Sequence, residues 1–440
     1  MSGLDADGVT IADPMASGRA ALAEHAWEQA RQHFEAALSR EETPEALEGL
    51  SWAAWWLGDA DALFEARESA YRAYQAAGRS RDAARMATWL GTDSVDFRGE
   101  LALAEGWLGR ARRLLEGSEP SAEQGWLCVH EAEKRLFADD TERARALGEE
   151  ATRLGRQLGI VDLEMMGLAT VGLALVTEGA VDEGISRLGE AAAAALAEDF
   201  SELWSAGWCC CYMLYGCERV RDYDRATQWS RRVEAWAERM QIGFINRTCR
   251  AHYADVLIWR GTWSDAEETL VEAAARLAEV RPPMAVEAQV RLGELRRRQG
   301  RFTEAAEIFD AAAEHPLALL GTGELCLDHD DPTGAVDRAE QYLREIPPSS
   351  ATQPAAGLEL LVWASVALGD LSGRRLPSRS SAPWPTESRP IRSGRRPHSA
   401  VVPWRRAGAT GNKPGSPSRT RSGCFNAARP RSSWPGLRSR

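Results

Sequence analysis

The chain has almost no lysine, no long apolar run and no alternating apolar pattern of the kind that marks β-strands. Lys134 and Lys413 are its only lysines, against 51 arginines. No apolar run approaches the ~18 residues that a membrane span requires, and LLVWASVAL at 360–368 has only the length of a buried helix. The N-terminal MSGLDADGVTIADP is acidic and polar, unlike a signal peptide. Abundant Ala, Leu, Glu and Arg, without an alternating pattern, predict an all-α protein. Because neither a membrane span nor a signal peptide is recognised, we expect it to be cytoplasmic.

Motifs of the common catalytic and cofactor sites are also missing. The chain has no GxxxxGKS/T phosphate loop, no GxSxG turn, no HExxH and no GxGxxG after a strand. Its seven histidines are scattered, and His25 and His33 flank a predicted turn, where we expect surface residues. We therefore predict no catalytic residues, no metal site, no cofactor and no enzymatic activity.

The eight cysteines form no pair of CxxC motifs at metal-site spacing. Cys209, Cys210 and Cys211 are consecutive in the apolar stretch WSAGWCCCYMLYGC. Adjacent residues on a helix point in three directions, so they cannot complete one tetrahedral site. We interpret these cysteines as small core residues, with a redox or metal role as the alternative.

Charge and composition change abruptly near Gly373. Residues 1–370 contain 37 Lys+Arg and 64 Asp+Glu, whereas residues 371–440 contain 16 Lys+Arg and a single acid, Glu387. The last 70 residues also hold 10 of the 20 prolines. Because this Arg/Ser/Pro-rich stretch has no helical period, residues 374–440 are predicted to form a disordered basic tail.

The tail has the composition expected of a frameshifted reading of a GC-rich gene. If the true frame begins at the third base of each codon, each new codon takes its last two bases from the codon of the next residue. An Arg codon (CGN) then supplies xCG, which usually encodes Ala, and a Ser codon (TCN) supplies xTC, which always encodes an apolar residue. With GC-favouring bases, the sequence from Leu376 onward begins ALAELRAVADG, which is rich in helix formers at three- and four-residue apolar spacing. We therefore interpret the tail as a frameshift product.

The part of the chain before the tail is built from repeats, and one unit shows the pattern clearly. Its first helix ends at Gly300, where a left-handed backbone is easiest for glycine. Phe302 follows as a large turn residue. Ala305, Phe309 and Ala312 then form one stripe at i, i+4 and i+7 of the next helix. This spacing predicts a hairpin of two closely packed helices.

The same pattern recurs at intervals of about forty residues. The steps between successive turn residues are 33, 41, 40, 40, 42, 40, 39, 30 and 39 residues. The shifted reading of the tail places a further turn near codon 411, forty residues after the last of these, which favours the frameshift. The predicted turn residues are Trp27, Ala60, Leu101, Thr141, Val181, Tyr223, Trp263, Phe302, Pro332 and Leu371.

This pattern resembles the tetratricopeptide repeat, and the step near forty is similar to the MalT-like repeat region of large LuxR-type transcription regulators. The resemblance covers residues 17–373, preceded by a flexible segment, 1–16. It implies an all-α superhelix of about nine or ten stacked hairpins. In that family a C-terminal helix-turn-helix reads DNA. The printed frame encodes no such motif, and no nucleotide-binding domain precedes the repeats, so we expect no specific DNA binding by this chain.

In tetratricopeptide proteins, ligands lie against the first helix of each hairpin, on the concave wall. Counting back from the turn residues, the resemblance implies an aromatic and acidic wall, suited to a peptide or a cationic partner. The alternative is that most of these rings fill the packing between repeats. The predicted wall residues are Trp52, Trp55, Trp56, Trp89, Asp93, Asp96, Trp208, Cys211, Tyr215 and Asp255.

The sequence thus predicts a non-enzymatic interaction scaffold with a protein or peptide partner, or one that self-associates, and no membrane association. The resemblance further implies the signal- or partner-binding arm of a LuxR-type regulator whose DNA-binding part is missing from this chain. The alternative is a stand-alone tetratricopeptide adaptor.

Overall fold

Nineteen α-helices make up the secondary structure of the residues described by a computed structural model. These are residues 13–138, 140–240 and 243–369, with side chains described for all of them except 243–248. The odd-numbered helices are α1 (Pro14–Ala23), α3 (Pro44–Leu57), α5 (Ser80–Arg98), α7 (Ala122–Phe137), α9 (Val161–Glu178), α11 (Leu203–Arg219), α13 (Gly243–Arg260), α15 (Pro282–Arg298), α17 (Pro316–Asp328) and α19 (Pro354–Leu368). The even-numbered helices are α2 (Trp27–Leu38), α4 (Ala60–Ala76), α6 (Leu101–Leu115), α8 (Thr141–Leu158), α10 (Val181–Leu196), α12 (Tyr223–Met240), α14 (Trp263–Val280), α16 (Phe302–Ala311) and α18 (Pro332–Glu345).

The helices form a tetratricopeptide-like array of hairpins, which confirms the predicted fold class. Consecutive helices pack on each other throughout the described ranges, and the odd-numbered helices from α5 to α19 also contact one another in sequence. All of these helices lie in a single compact unit. None of them is both long and apolar enough to cross a bilayer.

The predicted turn residues fall on the helix starts. The first nine, from Trp27 to Pro332, are the first residues of the nine even-numbered helices. The tenth, Leu371, and the tail at 374–440 lie outside the described residues. At the other end, α1 begins at Pro14, three residues before the start expected for the repeats.

In the eight hairpins for which the structure describes this position, a left-handed backbone residue stands two positions before the turn residue, because the chain must reverse there within three residues. Five of these residues are glycines, which adopt positive φ without a Cβ clash, and three are not. They are His25, Gly58, Gly99, Gly179, Arg221, Gly261, Gly300 and Asp330. An aspartate then caps several even-numbered helices by accepting a hydrogen bond from the backbone N–H three residues on. The capping residues are Asp59, Asp140, Asp222 and Asp331.

The predicted stripe on the even-numbered helices, a small, a large and a small residue at i, i+4 and i+7, is buried. Its large residue enters hollows left by glycines on the flanking helices. A Cβ built on Gly293 of α15 or Gly321 of α17 would lie 2.7 Å or 2.3 Å from the Phe309 ring of α16. Phe34 of α2 fills the equivalent space beside Gly18 and Gly49. Each ring therefore locks two odd-numbered helices onto the even-numbered helix between them.

Candidate functional site

The predicted wall residues all lie on odd-numbered helices, which stack side by side along the array. Trp52, Trp55 and Trp56 lie on α3. Helix α5 carries Trp89, Asp93 and Asp96. Helix α11 carries Trp208, Cys211 and Tyr215, and α13 carries Asp255. The structure divides them into an N-terminal group on α3 and α5 and a C-terminal group on α11 and α13.

The N-terminal group is mostly packed into the interior. Trp55 and Trp89 are 1% and 5% exposed, and Asp93 is fully buried. Trp52 is half-buried, with its ring edge-on to Trp89 at a centroid distance of 4.8 Å. Trp56 stacks on Trp27 at the start of α2, 4.5 Å away, and so takes part in the packing between hairpins. Most of these rings follow the packing alternative of the sequence analysis, and within this group Trp52, Trp56 and Asp96 are partly accessible.

A buried ion pair holds this group together. Arg67 of α4 donates a hydrogen bond to Asp93. The indole N–H of Trp55 donates to the other carboxylate oxygen at 3.1 Å. The Arg67 guanidinium also lies 4.9 Å from the ring centroid of Trp52. Burial raises the pKa of Asp93, and the charge of Arg67 opposes that rise. Removing either charged partner would strand the other in the core.

Aromatic residues that the sequence analysis missed connect α5 and α7 with α11. Trp204 of α11 lies 4.7 Å from Trp89 and 4.9 Å from Trp126 of α7, measured between ring centroids. His130 of α7 lies 4.7 Å from Trp89. Trp126 lies 15 positions before its turn residue, Thr141, as Trp208 lies 15 positions before Tyr223, so the repeat register could have identified it. Trp204 lies outside that pattern and had no such signal.

A second feature, of which the sequence had predicted only Asp93 and Asp255, is a column of acids eight positions before the turn residues. The odd-numbered helices bring this position to the same face repeat after repeat, because each hairpin repeats the same geometry. Five of the nine hairpins have a carboxylate there, and Tyr215 occupies the same position on α11. The acids are Asp93, Glu133, Asp255, Glu294 and Glu324.

A ladder of ion pairs lies beside the C-terminal group and runs from α11 through α13 and α15 to the N-cap of α17. Glu218 of α11 lies 2.9 Å from Nδ1 of His252 on α13 and 2.6 Å from Arg291 on α15. Arg291 also pairs with Glu287 at 2.6 Å, and Glu287 lies 2.9 Å from Nε2 of His315, which caps α17. Burial alone would raise the pKa of Glu218, but Arg291 and His252 outweigh it and lower that pKa.

Tyr215 and Asp255 border this ladder. The Tyr215 ring lies 5.2 Å from His252, and its hydroxyl accepts a hydrogen bond of 2.5 Å from Arg219. Asp255 is half-buried, and burial, with Glu218 second, raises the pKa of its carboxyl to about 6. Trp208 is half-buried on the same helix as Tyr215. The face of α11, α13 and α15 therefore offers aromatic rings beside a carboxylate that favours a proton or a cation.

A disulfide joins the two helices of this group. Cys211 of α11 and Cys249 of α13 are bonded, with their Cα atoms 5.1 Å apart. The spacing of the cysteines did not predict this pair. Cys210 and Cys217 lie buried nearby, as small core residues would, and burial raises the pKa of each thiol to about 12. Such thiols are poor nucleophiles at neutral pH. Within the described side chains, no group of three or more His, Cys, Asp or Glu is placed to hold a metal ion.

Comparison with known proteins concerns the fold alone. The sequence matches no protein-family model and no curated protein. A solved structure of a Rap protein complexed with competence and sporulation factor is similar to 73% of this chain and 90% of its own, with a TM-score of 0.53 and 12% identity. The apo form of RapI matches 60% of this chain and 94% of its own, with a TM-score of 0.43 and 14% identity. A signal-transduction ATPase with a tetratricopeptide repeat sensor from Pyrococcus horikoshii matches 65% of this chain and 44% of its own, with a TM-score of 0.40 and 16% identity.

Proposed function

We propose that this chain is a non-enzymatic scaffold that holds a protein or peptide partner against the face of α11, α13 and α15. Asp255 carries the proposal, because its carboxylate lies on the face where the half-buried rings of Trp208 and Tyr215 also lie, whereas Glu294 of the acidic column is paired with Arg297 and Arg298. Large aromatic side chains are the usual anchors of such interfaces, and carboxylates beside them select a basic partner by charge complementarity. The expected ligand is therefore a segment with basic residues and at least one large apolar residue.

Peptide binding to matched tryptophan variants tests this function. We expect short basic peptides to bind the full chain better than acidic peptides of equal length, as measured by calorimetry. Trp208→Ala should weaken that binding about tenfold or more, since an aromatic anchor contributes about 2 kcal/mol. Trp363→Ala on α19 is the control, because that ring is 58% exposed and does not belong to α11, α13 or α15. A preference for acidic peptides, or equal losses in both variants, would contradict the proposal.

We further propose that the chain is the cytoplasmic partner-binding arm of a LuxR-type regulator whose reading frame breaks near Gly373. The step of about forty residues supports this family, and the charge reversal after residue 370 supports the break. Helix α19 adds support, because it exposes an apolar face that a further helix would cover. In the printed frame the three stripe positions after Leu371 are Arg374, Ser378 and Ser381, which cannot supply an apolar stripe.

Sequencing the gene across codons 365 to 380 and downstream separates the two finer alternatives. An inserted or deleted base, followed in the restored frame by more repeats and a helix-turn-helix, supports the regulator. A restored frame that stops after the repeats, or an unaltered frame with a genuine basic tail, supports a stand-alone adaptor instead. Neither result affects the binding face proposed on α11, α13 and α15.

A further inference from the structure

The start of α15 folds back onto α3 and α5, hairpins that lie about two hundred residues earlier in the chain. Helices α5 and α15 are in direct contact. Val280 lies against Gly58, where a Cβ would come within 1.7 Å of the valine Cγ1, so that only glycine fits. Pro283 lies over Gly99, with 3.6 Å between the proline Cγ and an added Cβ. A short segment, 280–283, thus closes the array on turns of its N-terminal hairpins.

Arg281 is the centre of this contact. Its side chain is 2% exposed, and its guanidinium carbon lies 4.4 Å from the ring centroid of Trp55 and 4.0 Å from that of Phe97. The Nη1 atom lies 3.7 Å from the Asp96 carboxylate. We name the set of Trp55, Phe97 and Asp96 the guanidinium cage. Two aromatic faces and a carboxylate are the environment that favours a planar, delocalised cation.

Two polar contacts of Arg281 in the cage are long. The Nη1–Asp96 distance of 3.7 Å and the Nη2–Trp55 carbonyl distance of 3.5 Å are both longer than typical hydrogen bonds. Burial lowers the pKa of Arg281 to about 10, and it raises the pKa of Asp96 to about 7 although Arg281 opposes that rise. A guanidinium that reached Asp96 at hydrogen-bond distance would stabilise the carboxylate better, because charge-assisted bidentate contacts are about twice as strong as neutral ones.

The cage belongs to the same series of positions as the proposed partner face. Trp55 and Asp96 each stand five positions before their turn residues, as Glu218 does on α11. Asp96 also lies beside Glu133 of the acidic column, whose negative charge contributes to its raised pKa. Leaving aside the Arg67–Asp93 pair, Arg281 therefore brings one positive charge to two nearby carboxylates, those of Asp96 and Glu133.

We propose that the guanidinium cage is a recognition site for an arginine side chain of the partner, and that Arg281 is an occupant supplied by the chain itself, which the partner displaces. This inference rests on the proposed function and names the partner residue that it selects. Arginine is expected rather than lysine, because a compact ammonium cannot cover two ring faces and meet a carboxylate in one plane. Binding frees segment 280–283 from α3 and α5.

Substitution of the occupant tests the cage in the full chain. We expect Arg281→Gln to bind N-acetyl-arginine methylamide about tenfold more tightly than the wild-type chain by calorimetry, because the competitor is gone. The corresponding lysine amide should gain little. The double variant R281Q/D96N should lose the gain. Arg276→Gln is the matched control, since it removes the same charge from an exposed side chain of α14.

Hydrogen exchange of the wild-type chain provides a second measurement that does not depend on the folding of R281Q. The arginine amide should speed exchange of the backbone amides at 277–285, and the lysine amide should do so less. Arg281 is a purely structural clasp if folded R281Q gains no arginine affinity, or if arginine and lysine change exchange equally. If the cage fails in this way while Trp208→Ala still weakens basic peptides, the proposed function stands without it.

Discussion

At the scale of single residues, charges inside the array are placed against partners from other hairpins. Arg67 of α4 pairs with Asp93 of α5, and Arg291 of α15 pairs with Glu218 of α11. A buried pair of this kind contributes little net stability compared with apolar residues of the same volume, but it strongly penalises arrangements that separate its members. These pairs therefore specify how hairpins are aligned with one another, across one intervening hairpin in the case of Arg291 and Glu218.

Asp255 is expected to make stability depend on pH. Its pKa of about 6 in the folded chain exceeds the ordinary value of 3.8, so folding takes up a proton. The stability that this group contributes is complete below about pH 3.8 and is lost as the pH rises through 6. Glu218 and Glu294 favour the protonated form, while Arg291 and Arg298 oppose it.

Asp255→Asn should therefore gain stability relative to the wild-type chain as the pH rises from about 4 to 7, and the difference should level off above that. Thermal unfolding midpoints measured at half-unit steps of pH provide the test. Asp61→Asn is the control, because that side chain is fully exposed. A difference that does not change with pH would show that Asp255 titrates alike in the folded and unfolded chain.

At the scale of the helical element, each hairpin combines a local stop signal with a packing device. A left-handed residue ends the odd-numbered helix, and the large residue of the next helix enters glycine hollows on both neighbours. The first signal is local and was visible in the sequence at Gly300. The second joins residues from three helices, such as Phe309 with Gly293 and Gly321, and it becomes visible only once the helices are packed.

Two glycine-to-alanine substitutions separate packing from helix propensity. In Gly321→Ala the new methyl group would lie 2.3 Å from the Phe309 ring, which a second glycine hollow holds from the other side. We expect a loss of about 1–3 kcal/mol from overpacking. In Gly106→Ala on α6, nothing lies within 4 Å of the added Cβ, and we expect a gain of about 0.5–1 kcal/mol. Urea unfolding of both variants measures these changes, and a stable Gly321→Ala protein would show that Phe309 can move away.

At the scale of the whole described array, the helix nearest the tail, α19, has more exposed large apolar side chains than any other described helix. Val362, Trp363 and Val366 of α19 are 56%, 58% and 51% exposed, whereas nearly all of α9 is buried. An uncapped repeat exposes the face that its neighbour would bury, which lowers local stability and favours aggregation.

We therefore expect amides at 354–368 to exchange faster than those of α9 in native-state hydrogen exchange. Replacing Val362, Trp363 and Val366 together with serine should raise solubility without lowering the midpoint of thermal unfolding. Equal protection of α19 and α9 would mean that something covers this face.

The sequence was informative about the fold because its signals are local. The glycine that ends the first helix, the turn residue and the stripe of small, large and small residues lie within a few residues of one another, so nine turn residues could be placed. The register also assigned every predicted wall residue to an odd-numbered helix. It did not reveal that Trp55 and Asp93 are buried, because the residues that cover them are distant in the repeat pattern. Arg281, which lies against Trp55, comes 226 positions later, and Arg67, which pairs with Asp93, lies on the even-numbered helix α4. The Cys211–Cys249 pair was missed for the same reason, since spacing alone does not reveal which cysteines meet across hairpins.

The contact between α15 and α5 limits how this array can change its length. In most helical-repeat proteins each unit touches only its neighbours, so units can be duplicated or deleted with little effect elsewhere. Here five hairpins separate two turns that must meet, and Gly58 must stand opposite Val280 for them to do so. Adding or removing one unit between them would carry Arg281 away from its cage. The hairpins from α5 to α14 can therefore be neither duplicated nor deleted without separating these turns.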